Sequence, residues 1–452
     1  MIRVFTVVAL LVCSTAYCQY PILTQRDQAK VIDELLDDRL YNLLPSLMKR
    51  EGFDMWVVIS REYNEDPVIE TLLPATWMAA RRTTMLIVYD PGPRSAEAGS
   101  AEATNGKEFE YLAVARYDVG KVFKRAWNPD ENSDQWQQLG KVISDRKPKK
   151  IGINKAAHWG HSDGLTSNDY DNLMKVLPAE LQANVTSAEK LSVAWLETRS
   201  EKEMAIYPQI CKIAHDIIAE GFSEKVIKPG VTTTEDVVWW FREKIKEMKL
   251  DTWFHTSVSI QRNEPEAITS KRPQPLVILP GDFLHVDFGI TYLRLNTDTQ
   301  EHAYVLKPGE TDIPAYLKDA FKKGNRLQDI LTNTYKEGRT GNEILKASRE
   351  QAIAEGITPS IYTHPIGYHG HAAGTTIGMW DMQGGVPDTG DYPMHLNTAY
   401  SIELNCTVNI PEWKKDIRIM LEEDGYFDAK GFRYIDGRQQ EVFLIPRPKI
   451  KK

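Results

Sequence analysis

Apolar residues follow two different spacings in the amino-terminal part of the chain. Between Val31 and Glu51 they recur at helical spacing, which predicts an amphipathic helix. Short continuous apolar runs of strand length follow, at residues 55–59, 84–89, 111–115 and 151–154. Because helical and strand-like stretches alternate, we predict an α/β domain that spans residues 19–190.

The pattern changes over residues 191–452, where we predict a second domain of the α+β class. Ser200 and Glu203 have the spacing of a capping box at the start of a helix. Further helical periods run through residues 234–248, 313–336 and 342–355. Strand-like apolar runs lie between and after these helices, and several of them contain an acidic residue or a histidine.

Composition agrees with a folded protein of two domains. The chain has 452 residues, of which 42% are hydrophobic and 26% are charged, enough to bury a large core. The net charge is −8 and no stretch forms a basic stripe, so we expect no nucleic-acid partner. Beyond the amino terminus no segment is long and apolar enough to span a bilayer, so we expect no membrane association of the mature protein.

The first 18 residues have the pattern of a secretory signal peptide. Arg3 precedes the apolar run of residues 4–12, and small residues follow near the end of the segment. We predict cleavage before Gln19 and a secreted or periplasmic location; a buried amino-terminal helix is the alternative. The two cysteines that would remain, Cys211 and Cys406, are predicted to be free buried thiols.

Five residues in the second domain have the chemistry of metal ligands. They are Asp287, Asp298, His364, Glu403 and Glu422. Most of them lie in or beside strand-like apolar runs, where an unpaired carboxylate would be costly to bury. Oxygen and imidazole ligands together suit hard-to-borderline divalent cations.

Singly, some of these residues have simpler explanations. Asp298 lies between two threonines, a pattern typical of a hairpin or a helix cap. Glu403 is different, since it lies between Ile402 and Leu404 in an apolar run. Charge favours two ions over one, because two dications would balance the four carboxylates. Two such ions can deprotonate a shared water at neutral pH, so we predict a dinuclear metallohydrolase.

A histidine motif adds a specific family resemblance. His364, Gly367 and His371 form the pattern His-x-x-Gly-x-x-x-His. This motif, with the order of the five candidate ligands, resembles the pita-bread metallopeptidases: methionine aminopeptidase, aminopeptidase P and prolidase, with creatinase as a metal-free relative. The resemblance covers about residues 195–450. It implies a pita-bread fold for residues 191–452 and a creatinase-like or prolidase-like α/β fold for the first domain.

The resemblance also implies an activity and a division of roles. It makes the five residues the ligands of two divalent ions, with manganese favoured and zinc, cobalt or iron(II) also suited. It makes Glu403 a proton shuttle as well as a ligand, and places His371 against the substrate or the developing oxyanion. The implied reaction is hydrolysis of Xaa-Pro bonds by a metal-bridged hydroxide, as in aminopeptidase P or prolidase. The implied substrate is a peptide with proline second, and a homodimer is the expected assembly.

The chain departs from the family pattern at three positions. The family's substrate-facing histidine, about seventeen residues before the first aspartate, has no counterpart in residues 267–271. His285, two residues before that aspartate, is either its catalytic substitute or a packed strand histidine. Met420 stands where the family has an arginine. Glu423 follows Glu422 directly, so the bridging ligand is a choice between them, and we predict Glu422.

Two other functions remain open at this point. One is a creatinase-type C–N hydrolase, but creatinase works without metal and this chain retains all five ligands. The other is a non-catalytic peptide-binding pita-bread domain, which the missing histidine favours and the predicted export opposes. Hydrolysis of Xaa-Pro peptides before and after chelation separates both from a metallopeptidase.

Overall fold

The computed structural model describes residues 22–92, 109–265 and 274–447. The predicted signal peptide lies outside the described residues, and so does the segment 267–271, which lacks the family's histidine. The amino-terminal part is built on one mixed sheet, and the carboxy-terminal part on several mainly antiparallel sheets.

The amino-terminal part combines a six-stranded sheet with helices. Its strands are β1 (Met55–Arg61), β2 (Thr83–Tyr89), β3 (Glu110–Ala113), β4 (Lys124–Arg125), β5 (Ile151–Ile153) and β6 (Val185–Ser187), in the order β4-β3-β2-β1-β5-β6. Its helices are α1 (Gln25–Asp38), continued by a π-helical turn (Arg39–Leu43), α2 (Leu44–Glu51), α3 (Pro67–Leu72), α4 (Gln135–Arg146), α5 (Ser167–Val176) and α6 (Ala179–Gln182). The predicted α/β class of this part is confirmed.

Strand β1 shows why this sheet is covered on both faces. Trp56 and Val58 belong to one cluster of buried residues. Met55, Val57 and Ile59, whose side chains point the other way, belong to a second cluster. Because successive side chains of a strand point to opposite faces, a continuous apolar run needs a hydrophobic layer on each side. Helices α1 and α2 contribute to the first layer, and α4 and α5 to the second.

Five more α-helices follow in the described part of the chain, and the first of them packs in the same buried cluster as α1 and α2. They are α7 (Glu189–Glu197), α8 (Glu201–Gly221), α9 (Thr234–Glu247), α10 (Ala315–Thr332) and α11 (Gly341–Ala354). The predicted capping box at α8 is confirmed: the Ser200 backbone N–H donates to Glu203 Oε2 at 2.7 Å, and the Glu203 N–H donates to Ser200 Oγ at 3.2 Å. Each capping bond satisfies a helix-terminal donor that has no intrahelical partner.

Three sheets and a short hairpin complete the carboxy-terminal part. The first sheet has the order β19-β11-β8-β7, with β7 (Ser257–Gln261), β8 (Phe283–Phe288), β11 (Thr299–Val305) and β19 (Phe443–Ile445). The second is β12-β15-β16, with β12 (Thr358–Ile361), β15 (Leu404–Ile410) and β16 (Lys415–Leu421). The third is β13-β14-β17-β18, with β13 (His364–Pro365), β14 (Thr398–Ser401), β17 (Asp424–Asp428) and β18 (Gly431–Tyr434); the hairpin is β9 (Thr291–Tyr292) with β10 (Leu295–Asn296). The predicted α+β class is confirmed.

Strand pairing brings distant polar residues to one place. In the β8–β11 ladder, Asp287 pairs with Gln300. Gln300 also forms a backbone bridge to Glu422, in the short connection between β16 and β17. His364 pairs with Ser401 in the β13–β14 ladder. The carboxy-terminal sheets therefore meet at a point to which several strands contribute a polar side chain.

A buried ion cluster connects the two parts of the chain. Arg39, in the π-helical turn after α1, donates to Glu203 at 2.8 Å, and both side chains are fully buried. Arg199 lies 3.3 Å from the same carboxylate. Both guanidinium groups lie over the ring of Tyr368, 5.1 and 5.0 Å from its centroid. Glu203 thus links the amino-terminal helices to the segment that follows His364.

The remaining sequence predictions about the fold concern the cysteines, membrane-spanning segments and the domain boundary. Cys211 and Cys406 are buried free thiols, as predicted. Among the described residues, no helix has the length and apolar character needed to cross a membrane. The domain boundary at residues 190 and 191 stays a prediction.

Candidate metal centre

The five predicted ligands lie at or near the ends of strands. Asp287 is near the end of β8, Asp298 precedes β11, His364 begins β13, Glu403 follows β14 and Glu422 follows β16. Side chains on strands are positioned more precisely than side chains on loops, because the ladder hydrogen bonds hold the backbone. Three of the five are almost fully buried, whereas Asp287 and Glu403 are partly exposed.

The ligand atoms of these residues converge in overlapping groups of three. Within each group the atoms lie within 4.8 Å of one another. The groups are first Asp287, Asp298 and Glu422, then His364, Glu403 and Glu422, and finally Asp298, His364 and His371. Because Glu422 belongs to two groups, its carboxylate lies between them. The fold therefore brings all five predicted ligands together, with His371 at their edge.

His364 presents its Nε2 atom to the carboxylates. Its Nδ1 lies 2.9 Å from the carbonyl oxygen of Pro365, which can only accept, so Nδ1 carries the proton. Its Nε2 lies 3.8 Å from Asp298 Oδ2 and 3.7 Å from Glu422 Oε1. Within the described residues, His364 Nε2 and Asp298 Oδ1 have no hydrogen-bond partner although both are buried. A buried imidazole nitrogen that has no hydrogen-bond partner and faces two carboxylates fits a divalent metal ion.

Burial and mutual repulsion raise the pKa of the carboxyl groups in the metal-free protein. Burial raises the pKa of Asp287 to about 8, with a further contribution from the charge on Glu422. The same two causes raise the pKa of Glu403 to about 10 and that of Asp298 well above its usual value. A bound dication would offset this repulsion and displace the protons. Both the donor atoms of the site and its electrostatics therefore fit a divalent metal ion.

These raised pKa values predict how pH affects the metal-free protein. A carboxyl whose folded-state pKa is raised contributes stability below its unfolded pKa, and that contribution is lost as the pH rises through the folded-state pKa. For Asp287 and Glu403 this window begins near pH 4 and ends near pH 8 and pH 10. We expect the melting temperature of chelator-treated protein to fall as the pH rises from about 5 to about 8.

Calorimetry of the chelated protein and of the manganese-loaded protein, in the same buffers, measures this effect. The loaded protein should show a flatter pH profile, because its ligands are already deprotonated and paired with cations. Parallel profiles with and without manganese would mean that these carboxylates do not control the stability of the metal-free state.

Gln300 is a site residue that the sequence analysis did not identify. Its Nε2 donates to Glu403 Oε1 at 3.0 Å and to Glu422 Oε2 at 2.6 Å. Its Oε1 lies 2.8 Å from His285 Nε2 and accepts from it, since both amide hydrogens are used on carboxylates. The sequence did contain a signal for Gln300. It lies two residues after Asp298, and side chains two residues apart in an extended segment share a face.

His285 reaches the ligands through Gln300 and belongs to none of the metal-ligand groups found among the described residues. It is buried, with Nδ1 3.4 Å from Ser259 Oγ. Burial lowers the pKa of His285 to about 4, so the ring is neutral at physiological pH. The structure therefore places it behind the carboxylates, where it can orient the Gln300 amide.

Aromatic residues surround His371 at the edge of the site. Its ring centroid lies 4.7 Å from that of His364, 5.1 Å from that of Trp253 and 5.8 Å from that of Tyr362. Unlike the five candidate ligands, which are buried or partly exposed, His371 is solvent-exposed, so a molecule entering from solvent can contact it. The position suits a residue that contacts a substrate.

The two adjacent glutamates after β16 face different groups. Glu422 joins Asp287 and Asp298 in one ligand group. Glu423 instead faces His215 and Glu301. Consecutive residues in extended backbone point to opposite sides, which explains the division. The geometry thus favours Glu422 as the ligand shared with the aspartates.

Comparison with known families bears on the carboxy-terminal part. Residues 206–426 match the family model of metallopeptidase family M24. This range contains all five predicted ligands. No curated protein matches the chain.

Solved structures match over nearly the whole described chain. The X-Pro aminopeptidase from Thermotoga maritima MSB8 has a TM-score of 0.61 at 15% identity, with 88% of this chain and 99% of that chain covered. The Xaa-Pro dipeptidase from Bacillus anthracis has a TM-score of 0.52 at 17% identity, with 93% and 100% covered. The prolidase from Pyrococcus horikoshii OT3 has a TM-score of 0.52 at 14% identity, with 92% and 99% covered. At these identities the likeness establishes the fold, and the predicted pita-bread fold with an amino-terminal domain is confirmed.

Proposed function

We propose that this protein, whose residues 206–426 match the family model of metallopeptidase family M24, is a dinuclear metal-dependent peptidase that hydrolyses Xaa-Pro bonds. The observation that carries the proposal is the sharing of Glu422 by two ligand groups, one with Asp287 and Asp298 and one with His364 and Glu403. Each group would hold one ion, and the two groups together include all five candidate ligands.

Charge and ligand hardness support the number and kind of ions. The four carboxylates carry four negative charges when ionised, which two dications neutralise. Oxygen-rich coordination with a single imidazole suits manganese, and it also accommodates zinc, cobalt or iron(II). The raised pKa values in the metal-free state support the same assignment, because the site is poorly suited to holding four uncompensated charges.

Bound divalent ions would supply a deprotonated water as nucleophile and would polarise the scissile carbonyl. In this proposal Glu403 accepts the proton of that water and delivers it to the leaving nitrogen. Its Oε1 accepts from Gln300 Nε2, which fixes the carboxylate orientation during the transfer. Proton delivery matters for an Xaa-Pro bond, because the proline nitrogen must be protonated before it departs.

Two histidines complete the proposed mechanism. His371 is exposed at the edge of the candidate ligands, and in this proposal it donates a hydrogen bond to the carbonyl oxygen as negative charge develops on it. His285 acts indirectly: it contacts Gln300, and Gln300 contacts Glu403 and Glu422. We therefore assign His285 as a positioning residue.

The proline preference rests on solved structures of similar fold, whose names are X-Pro aminopeptidase, Xaa-Pro dipeptidase and prolidase. A creatinase-type C–N hydrolase and a non-catalytic peptide-binding domain stay as alternatives. The convergence of five ligand side chains argues against both, since neither needs a metal centre. Export by the first 18 residues and assembly as a homodimer also stay predictions.

A small peptide panel tests the proposed activity. We expect Xaa-Pro peptides to be cleaved faster than matched Xaa-Ala peptides, chelation to abolish cleavage, and manganese to restore it. Dipeptides and longer peptides in the same panel distinguish a dipeptidase from an aminopeptidase. Cleavage that survives chelation would remove the metal mechanism, and equal cleavage of Xaa-Ala would remove the proline preference.

A further inference from the structure

A second cluster of ligand-type side chains lies beside the proposed metal centre. It consists of His215 on α8, Glu301 on β11 and Glu423 in the connection between β16 and β17. Their ligand atoms lie within 4.8 Å of one another. None of the three takes part in the hydrolysis proposed above.

The hydrogen bonds of His215 resemble those of a metal-binding histidine. Its Nδ1 lies 2.9 Å from Asp436 Oδ2, and its Nε2 lies 3.0 Å from Glu423 Oε2. A carboxylate on one ring nitrogen holds the proton there and leaves the other nitrogen as a ligand, the arrangement commonly found at protein metal sites. Two atoms bound to one ion at about 2.1 Å each lie about 3.0–3.4 Å apart, so the spacing of Nε2 and Oε2 suits a shared ion.

Glu301 supplies an observation independent of His215. Its side chain is 5% exposed, and its Oε2 has no hydrogen-bond partner in the part of the chain that the structure describes. A buried carboxylate oxygen without a partner is costly, and the Glu301 carboxylate contributes a ligand atom within 4.8 Å of those of His215 and Glu423. A cation between the three residues would satisfy it.

Glu423 is oriented towards such a cation, and solvent reaches the site beside His215 and Asp436. Glu423 Oε1 accepts from the backbone N–H of Gln439 at 2.7 Å, which leaves Oε2 directed at His215. The His215 and Asp436 side chains are 20% and 26% exposed, so an ion can enter from solvent beside them. Two carboxylates, Glu301 and Glu423, would balance the charge of one dication.

We propose that His215, Glu301 and Glu423 bind a third divalent cation, with Asp436 orienting His215. A nitrogen and two carboxylate oxygens suit a borderline cation such as Zn²⁺ or Mn²⁺. The cation would tie α8, β11 and the segment that carries Glu422 to one point, and it would bind whether or not the chain hydrolyses peptides. The competing possibility is a positively charged His215 that pairs with Glu423 and Asp436 and needs no metal.

Metal counting on the full-length protein separates the two. The protein is stripped with chelator, loaded separately with Zn²⁺ and with Mn²⁺, desalted and analysed for bound metal. A variant with both Asp287→Asn and Asp298→Asn, which weakens the proposed centre, should still retain one equivalent that resists desalting. The same variant with His215→Gln added should lose it, whereas adding His255→Gln, at an exposed histidine, should leave it bound.

Two further variants keep the test decisive. Glu301→Gln should release the same equivalent, and it serves if His215→Gln does not fold. Asp436→Asn should weaken binding about 10- to 100-fold, because it changes the group that orients the histidine. An equivalent that persists in both the His215 and Glu301 variants, or that never binds in the double aspartate variant, would overturn the proposal and leave the charged-histidine pairing.

Discussion

Replacing Glu422 with glutamine is expected to release the bound ions and to lower Xaa-Pro hydrolysis by about three orders of magnitude. Glu422 is the residue common to two ligand groups. Its Oε1 accepts from Ser401 Oγ at 2.5 Å and its Oε2 accepts from Gln300 Nε2 at 2.6 Å. An amide removes one negative charge and replaces one of these acceptor oxygens with an N–H donor, so both ligation and the present hydrogen bonds are weakened.

The measurement is bound metal after dialysis together with initial rates on an Xaa-Pro peptide. Glu412→Gln is the matched control. It is the same substitution, made at an exposed glutamate outside the ligand groups. The control should keep wild-type metal content and rate. If the Glu422 variant retains both ions and most of its activity, the shared-ligand assignment is wrong.

Replacing Arg39 with methionine is expected to destabilise the protein by about 3–5 kcal/mol. The substitution keeps much of the side-chain volume but removes the cation that lies 2.8 Å from Glu203 in a fully buried pair. It also removes the donor to the carbonyl oxygen of Thr198 at 2.7 Å. Arg199 remains beside Glu203 at 3.3 Å, so part of the pairing survives. The buried carboxylate is nevertheless left with half of its compensation.

The acid side of the stability profile should change as well. Burial raises the pKa of Glu203, but the charges of Arg199 and Arg39 outweigh it and hold the pKa below its usual value. A lowered folded-state pKa contributes stability above the unfolded pKa, and this is lost as the pH falls through the folded-state pKa. The Arg39 variant should therefore lose less stability than the wild type between about pH 5 and pH 3.

Urea unfolding at neutral pH and across the acid range measures both effects. Arg26→Met on the exposed part of α1 is the control, and it should change the free energy of unfolding by less than about 0.5 kcal/mol. A loss below about 1 kcal/mol for the Arg39 variant would show that Arg199 alone compensates Glu203.

Local sequence signals were enough to predict several of the helices and strands and to select the candidate metal ligands. The capping box of Ser200 and Glu203 was predictable, because its hydrogen bonds join residues three apart. The apolar run of residues 55–59 predicted a strand, and the structure shows that strand as β1, buried on both faces. Glu403 could be selected as a ligand, because an acid in an apolar run needs a partner to be buried.

Long-range contacts account for what the sequence did not reveal. Gln300 joins His285 to Glu403 and Glu422, and the Gln300–Glu422 contact spans 122 residues of chain. Nothing in the local pattern shows that Arg39 pairs with Glu203, 164 residues later. Such contacts depend on how strands and helices pack.

The amino-acid sequence was thus sufficient to identify the side chains that could bind metal and to predict elements that carry them. Both follow from residue chemistry and short-range periodicity. Packing of the sheets settled the rest. It directed Glu422 towards Asp287 and Asp298, turned Glu423 towards His215 and Glu301, and set His285 behind Gln300. These outcomes depend on strand pairing between distant segments, since a shift of one residue in a strand would reverse the direction of every side chain in it.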